Sequence, residues 1–168
     1  YGDVQNFGDK GVPQRFVNVL GRVSDAQGVA SLNYRLNSGS AVAMQMGADG
    51  RRLHGEGDFN VDIDIDDLNI GANTVLLTAT DTTGGVTQHT VTVNWTEGVE
   101  WPLPYVATWS GSGAVTNQTQ PVDGLWALSA DGLTINNLDD GYDRLTAIGD
   151  LAWDQYEVSV PVTVNGIA

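Results

Sequence analysis

The side chains of this 168-residue sequence that come closest to a reactive or ligand-holding arrangement are its acids and its aromatics. One acidic group is Asp62, Asp64, Asp66 and Asp67; a second is Asp139, Asp140 and Asp143. Calcium takes six to eight oxygen ligands that must converge from different directions, with main-chain carbonyls helping. Alternate acids on one flat strand splay apart, so Asp62 and Asp64 suit a solvated strand face, while the turn at Asp66 and Asp67 can hold an ion. The run 136–143 (NNLDDGYD) bends enough to aim several oxygens inward. Asp139, Asp140 and Asp143 are therefore the candidate metal ligands and calcium the candidate cofactor. The alternative is that these acids close their own turns through Asx hydrogen bonds. Trp101, Tyr105 and Trp109 cluster along the chain and are the candidate carbohydrate-binding residues, because a flat apolar ring complements the C–H face of a sugar. The same rings can instead pack at a module interface, where large aromatics dominate burial.

Catalytic constellations are missing from the pattern. A glycosidase needs two carboxylates held across the scissile bond, yet Glu157 has only Asp150 and Asp154 near it in sequence, in a preceding turn. His54 and His89 stand apart, with no nucleophile elbow and no spacing that builds a zinc site. The absence of cysteine removes thiolate chemistry and disulfides. The expectation is a protein that is not an enzyme.

The elements that must carry these residues read as strands. Residues 58–65 alternate strictly: Phe59, Val61, Ile63 and Ile65 on one side, Asp58, Asn60, Asp62 and Asp64 on the other. Successive side chains of a strand point to opposite faces, so this segment has one dry and one wet side. The same reading places strands at 16–23, 29–36, 41–46, 73–79 and 86–95, separated by Gly- and Asx-containing turns at 25–28, 37–39, 49–50 and 81–85. Residues 96–104 carry two prolines and no alternation, which marks a boundary. Beyond it, strands are expected at 105–109, 125–130, 133–136, 145–148 and 156–164. The chain divides into a first sandwich over 1–97, a linker over 98–104 and a second, incomplete sandwich over 105–168. A sandwich that stops at its most strand-like segment implies truncation, or completion by another chain.

Two stretches resemble known families. Residues 14–25 (QRFVNVLGRVSD), with Arg51-Arg52-Leu53, Gly57-Asp58-Phe59-Asn60 and the turn Ala79-Thr80-Asp81-Thr82-Thr83-Gly84, are similar to bacterial Ig-like or cadherin-like repeats. Gly141-Tyr142-Asp143-Arg144-Leu145, Ile148-Gly149-Asp150 and Trp153-Asp154-Gln155-Tyr156-Glu157-Val158 resemble the opening of concanavalin A-like (laminin G-like) jelly rolls. The resemblance covers most of 14–95 and roughly 101–168. It implies an all-β chain, an Ig-like sandwich followed by part of a jelly roll, as in large secreted bacterial proteins.

A net charge of −14 repels phosphate backbones and anionic lipid heads. No apolar run approaches the ~20 residues of a membrane-spanning helix. Nucleic acid and direct membrane insertion are excluded as partners on these grounds. The first residue is tyrosine, with no basic and apolar leader before it, which reads as a processed chain or a fragment. The expected function is an extracellular or cell-surface, non-catalytic binding or scaffold module. It would bind glycan or assemble through β-strand complementation, with its own continuation or a protein partner completing the second sandwich. The alternative is an accessory fragment of a secreted carbohydrate-active enzyme whose catalytic residues lie elsewhere.

Overall fold

Alternation translates directly into strands. The computed structural model describes residues 1–110, 113–130, 132–135 and 144–160. Its strands are β1 (Val4–Phe7), β2 (Phe16–Arg22), β3 (Val29–Leu36), β4 (Val42–Met44), β5 (Asp58–Asp64), β6 (Gly71–Asp81) and β7 (Val86–Trp95). After the proline-containing stretch come β8 (Gln120–Asp123), β9 (Trp126–Ser129), β10 (Gly132–Ile135) and β11 (Leu145–Ala147). Only two single 3-10 turns, Ile65–Asp67 and Val115–Asn117, are helical in the described residues. The chain is all-β.

The largest sheet has the order β1-β7-β6-β3-β4, antiparallel except for the parallel β1–β7 pair. The β2–β5 ribbon pairs Phe16 with Asp64 through Arg22 with Asp58. That register sets Val17, Val19, Phe59, Val61 and Ile63 on one face, where they join Leu32, Val75, Leu77, Val91 and Val93 in a single core. Two layers closed over such a core are the minimal solution for strands with one apolar face. Burying each of these side chains stabilises the fold by about 1.5–3 kcal/mol.

The wet face of β5 is a row of ion pairs. Asp58 is 2.6 Å from Arg22, Asp62 is 2.7 Å from Arg52, and Asp64 is 2.8 Å from Arg15. The outer face of β2–β5 is also covered in part by β8. Asn60 Nδ2 donates to the Val122 carbonyl at 3.1 Å, and Gln120 Nε2 donates to the Phe16 carbonyl at 2.9 Å. This cover explains why Asn18, which points away from the core, is nonetheless buried.

Two expected strands do not form. Residues 105–109 are not a strand: the Tyr105 hydroxyl donates to the Gln118 carbonyl and the Trp109 N–H to Gln118 Oε1, replacing a ladder. Trp109 moreover sits at φ 53°, which no strand residue adopts. Residues 156–160 are likewise not a strand, and Tyr156, Val158 and Val160 are exposed; residues 161–164 lie outside the described residues. Conversely, β1 and β8 escape the alternation rule. Gln5 is a buried polar residue where an apolar one is expected, and β8 contains Pro121 opposite a register irregularity.

A carboxylate fastens the later segment to the earlier one. Asp150 Oδ2 accepts the N–H groups of Val12 at 2.9 Å and Trp101 at 3.0 Å, and Oδ1 accepts that of Ala152 at 2.9 Å. Gly11 permits the approach, because a Cβ there would collide with the Trp101 nitrogen and Asp150 Oδ2. Burial alone would raise the Asp150 carboxyl, but the three N–H donors outweigh it and hold it below the ordinary carboxylate range. A group depressed in the folded state contributes stability above its unfolded value of ~3.9 and loses that contribution as pH falls through the folded value. Asp150→Asn, which has one acceptor oxygen where the carboxylate has two and so sets an NH2 against either Ala152 or the Val12 and Trp101 N–H groups, is expected to cost about 1–2 kcal/mol at neutral pH. It is also expected to lose less stability than the parent between pH 5 and pH 2, as urea denaturation at both pH values would show.

Candidate functional site

A groove opens where β8 and its neighbours meet the β2–β5 ribbon, and arginine–aspartate pairs line it. On one side a cavity of about 420 Å³ is lined by Tyr1, Leu20, Arg22, Leu53, Asp58, Phe59 and Leu125. On the other a cavity of about 740 Å³ is lined by Gln14, Phe16, Asn18, Asp62, Val122 and Leu145. Both also touch Arg52, Asp123 and Arg144, so these three residues form the saddle between the cavities. Volumes of this size match small-molecule sites.

Local structure explains each position. Arg52 lies in the connection that precedes β5, and its guanidinium reaches across to Asp62, with Nη1 and Nη2 at 2.7 and 3.0 Å from the two carboxylate oxygens. Its Nε stands 3.5 Å from Asp123 Oδ2, an electrostatic contact to a carboxylate that is 4% exposed. Asp123 ends β8 and accepts the N–H of Gly124 at 2.8 Å. Gly124 has φ 82° and lies under the Arg144 side chain, which would collide with any Cβ there. Tyr1 closes one end: its hydroxyl donates to the Gly124 carbonyl at 2.8 Å and accepts the Trp126 N–H at 2.7 Å. Burial pushes that hydroxyl up to about 12, with the Asp123 charge adding to the rise, so it is protonated at every ordinary pH.

The polar groups form a row. Gln14 Nε2 donates to Asn18 Oδ1 at 2.5 Å, and Asn18 Nδ2 to Asp62 Oδ1 at 2.5 Å. Arg52 and Asp123 continue the line. Around it stand apolar walls, of which Phe16, Leu125 and Leu145 are exposed although large and hydrophobic. Three arginines and three aspartates line the two cavities, so the groove is electrically balanced within a chain of net charge −14.

The residues singled out from sequence fare differently. Trp101 is 3% exposed, packed edge-on against Tyr105 with ring centroids 5.2 Å apart, so it offers no free face to a sugar. Its expected role as a stacking platform is corrected by that burial. Tyr105 and Trp109 are half-buried and tied to Gln118, away from the groove lining. Asp139, Asp140 and Asp143 lie outside the described residues. Asp62, Asp64 and Asp66 are each engaged by an arginine. Among the described residues, no three His, Asp or Glu side chains converge to hold a metal ion. His89 Nε2 lies 3.0 Å from Asp3 Oδ1, and His54 lies outside the groove lining. Phe16 and the Arg52–Asp123 pair are what sequence reasoning missed. Phe16 is the outward residue at the start of a strand whose neighbours Val17 and Val19 are core, the one local signal available. No protein-family model, curated protein or solved structure matches the chain.

Proposed function

We propose that the chain is a non-catalytic, extracellular binding module that takes a neutral glycan in the groove around Arg52. The observation that carries this reading is the charge balance of an open groove whose paired arginines and aspartates stand among exposed apolar walls. An anion would have to displace an aspartate from its arginine, and a cation would have to displace an arginine. A sugar hydroxyl, with one donor and two acceptor sites, can bridge between paired groups without breaking them. Phe16, Leu125 and Leu145 supply apolar surface for the C–H faces of the ring. The two cavities meeting at the Arg52 saddle accommodate more than one sugar unit, so a short oligosaccharide fits better than a monosaccharide. The acidic surface is compatible with an extracellular setting, and calcium is not needed for this mode of binding.

Titration calorimetry against neutral and sulfated oligosaccharides tests the reading. Neutral ligands are expected to bind, with or without a calcium chelator. Phe16→Ala, at an exposed ring, is expected to weaken that binding about tenfold, the equivalent of 1.4 kcal/mol, while leaving the unfolding midpoint in place. Binding confined to sulfated glycans, or none with any glycan, would overturn it.

A further inference from the structure

We propose that Gln14 is a specificity-determining residue of the groove: its Oε1 accepts a hydrogen bond from one ring hydroxyl of a sugar lying on Phe16. This inference rests on the glycan reading above and deepens it, because it fixes which way a hydrogen bond at that point must run. The direction is set from the far end of the polar row. Arg52 grips Asp62 at both carboxylate oxygens, with Nη1 and Nη2 at 2.7 and 3.0 Å. An ionised carboxylate only accepts. Asn18 stands directly opposite Asp62 in the β2–β5 register, so the amide that meets Asp62 Oδ1 at 2.5 Å must offer its NH2 group. Asn18 Oδ1 is then the atom turned to Gln14. An amide oxygen only accepts, so Gln14 answers with Nε2, at 2.5 Å.

The row therefore ends on an acceptor. Gln14 is half-buried and lines the larger cavity. Among the described residues its Oε1 has no hydrogen-bond partner, and it is not one of the enclosed polar atoms. The row does not reverse easily. Asn18 is 2% exposed, and turning its amide over would set an oxygen against the Asp62 carboxylate in a site that water does not reach. Leaving a buried polar group facing its like costs its full desolvation penalty.

Position couples this acceptor to the aromatic wall. Gln14, Phe16 and Asn18 are alternate residues that all line one cavity, while Val17 and Val19 face the core. A sugar ring resting on Phe16 thus brings its rim of hydroxyls beside Gln14. The group that meets Oε1 must donate. A hydroxyl does so and keeps its own acceptor sites for a neighbour; an ether oxygen, a sulfate or a deoxygenated carbon does not. A site built to pair a hydroxyl discriminates against the analogue that lacks it, because its polar group is left unmade. An ammonium group is the poorer occupant, since the carboxylates of this cavity, Asp62 and Asp123, already face Arg52.

Calorimetry with neutral disaccharides to tetrasaccharides of glucose, galactose and mannose identifies the probe that the parent binds tightest. Its singly deoxygenated derivatives are then titrated into the parent and into Gln14→Met. One deoxy sugar is expected to bind the parent about three- to tenfold more weakly than the intact probe, and that gap is expected to close in Gln14→Met. The gap compares two ligands on one protein, so a general loosening of the groove does not produce it. In the ligand-free chain, NMR hydrogen-bond couplings are expected from Gln14 Nε2 to Asn18 Cγ and from Asn18 Nδ2 to Asp62 Cγ. A parent indifferent to every deoxygenation, a Gln14→Met variant that keeps the gap, or a coupling from Asn18 Nδ2 to Gln14 Cδ would overturn the role of Gln14 while glycan binding stands. A parent that binds none of these sugars would overturn the glycan reading, and this inference with it.

Discussion

Replacing Asn73 with leucine is expected to lower the unfolding free energy by about 3–5 kcal/mol, since all the hydrogen bonds of one fully buried side chain would be lost at once. Asn73 is fully buried near the start of β6. Its Oδ1 accepts the Asn69 N–H at 2.9 Å and Asn37 Nδ2 at 3.0 Å. Its Nδ2 donates to the carbonyls of Asn69 at 2.7 Å, Gly71 at 3.1 Å and Val93 at 3.3 Å. One side chain thus ties the turn before β6, the adjacent strand β7 and the turn after β3. Leucine has similar volume, so the loss would come from polar groups left unmade rather than from a cavity. Domains of this size are stable by only about 5–15 kcal/mol, so the variant would sit near its unfolding threshold at room temperature. Urea denaturation followed by tryptophan fluorescence measures the difference. A loss under about 1 kcal/mol would mean that the freed groups find other partners.

The second large effect is expected at Arg52. Truncation to alanine removes the two-pronged contact to Asp62 and the guanidinium 3.5 Å from the buried Asp123 carboxylate. A buried carboxylate that loses a neighbouring cation costs more than a surface pair, and a loss of about 1–3 kcal/mol is expected. Asp62 contributes little of this, because its side chain is 42% exposed and solvent screens it. The double variant Arg52→Met/Asp123→Asn isolates the cause. It removes the charge as well as its partner, and the asparagine oxygen can still accept the Gly124 N–H. Most of the lost stability is expected to return in the double variant, while the proposed glycan binding is expected to be lost because the saddle of the groove is gone. Recovery of binding together with stability would show that the groove tolerates a neutral saddle and that its charges serve folding alone.

These two residues mark the boundary between what was legible in the chain and what was not. Asn73 stands in a strand expected from alternation, yet its type argues against burial, and its five partners come from three separate segments. Arg52 was readable only as part of a loop beside an acidic strand. Trp101 shows the opposite error: a large aromatic beside two prolines looks available to a ligand, while the fold buries it under Tyr105 and the Asp150 clamp. Expected strands failed at 105–109 and 156–160, where alternation is present but, among the described residues, no neighbouring strand supplies a ladder. A strand needs a partner as well as a pattern.

The order of residues by itself determined that the chain is all-β, where β2, β3, β5, β6 and β7 run, and that Phe59, Val61 and Ile63 line the core. Those properties follow from a period of two, which is set by the backbone within a few residues and needs no knowledge of the rest of the molecule. Only the tertiary structure decided that β1 lies parallel to β7, that β8 covers the outer face of β2–β5, and that Arg52, Asp123 and Arg144 share a groove. Contacts such as Val12 to Asp150 join residues 138 apart in the chain. The free energy of such contacts depends on which surfaces the folded layers bring together, a quantity that no local pattern encodes.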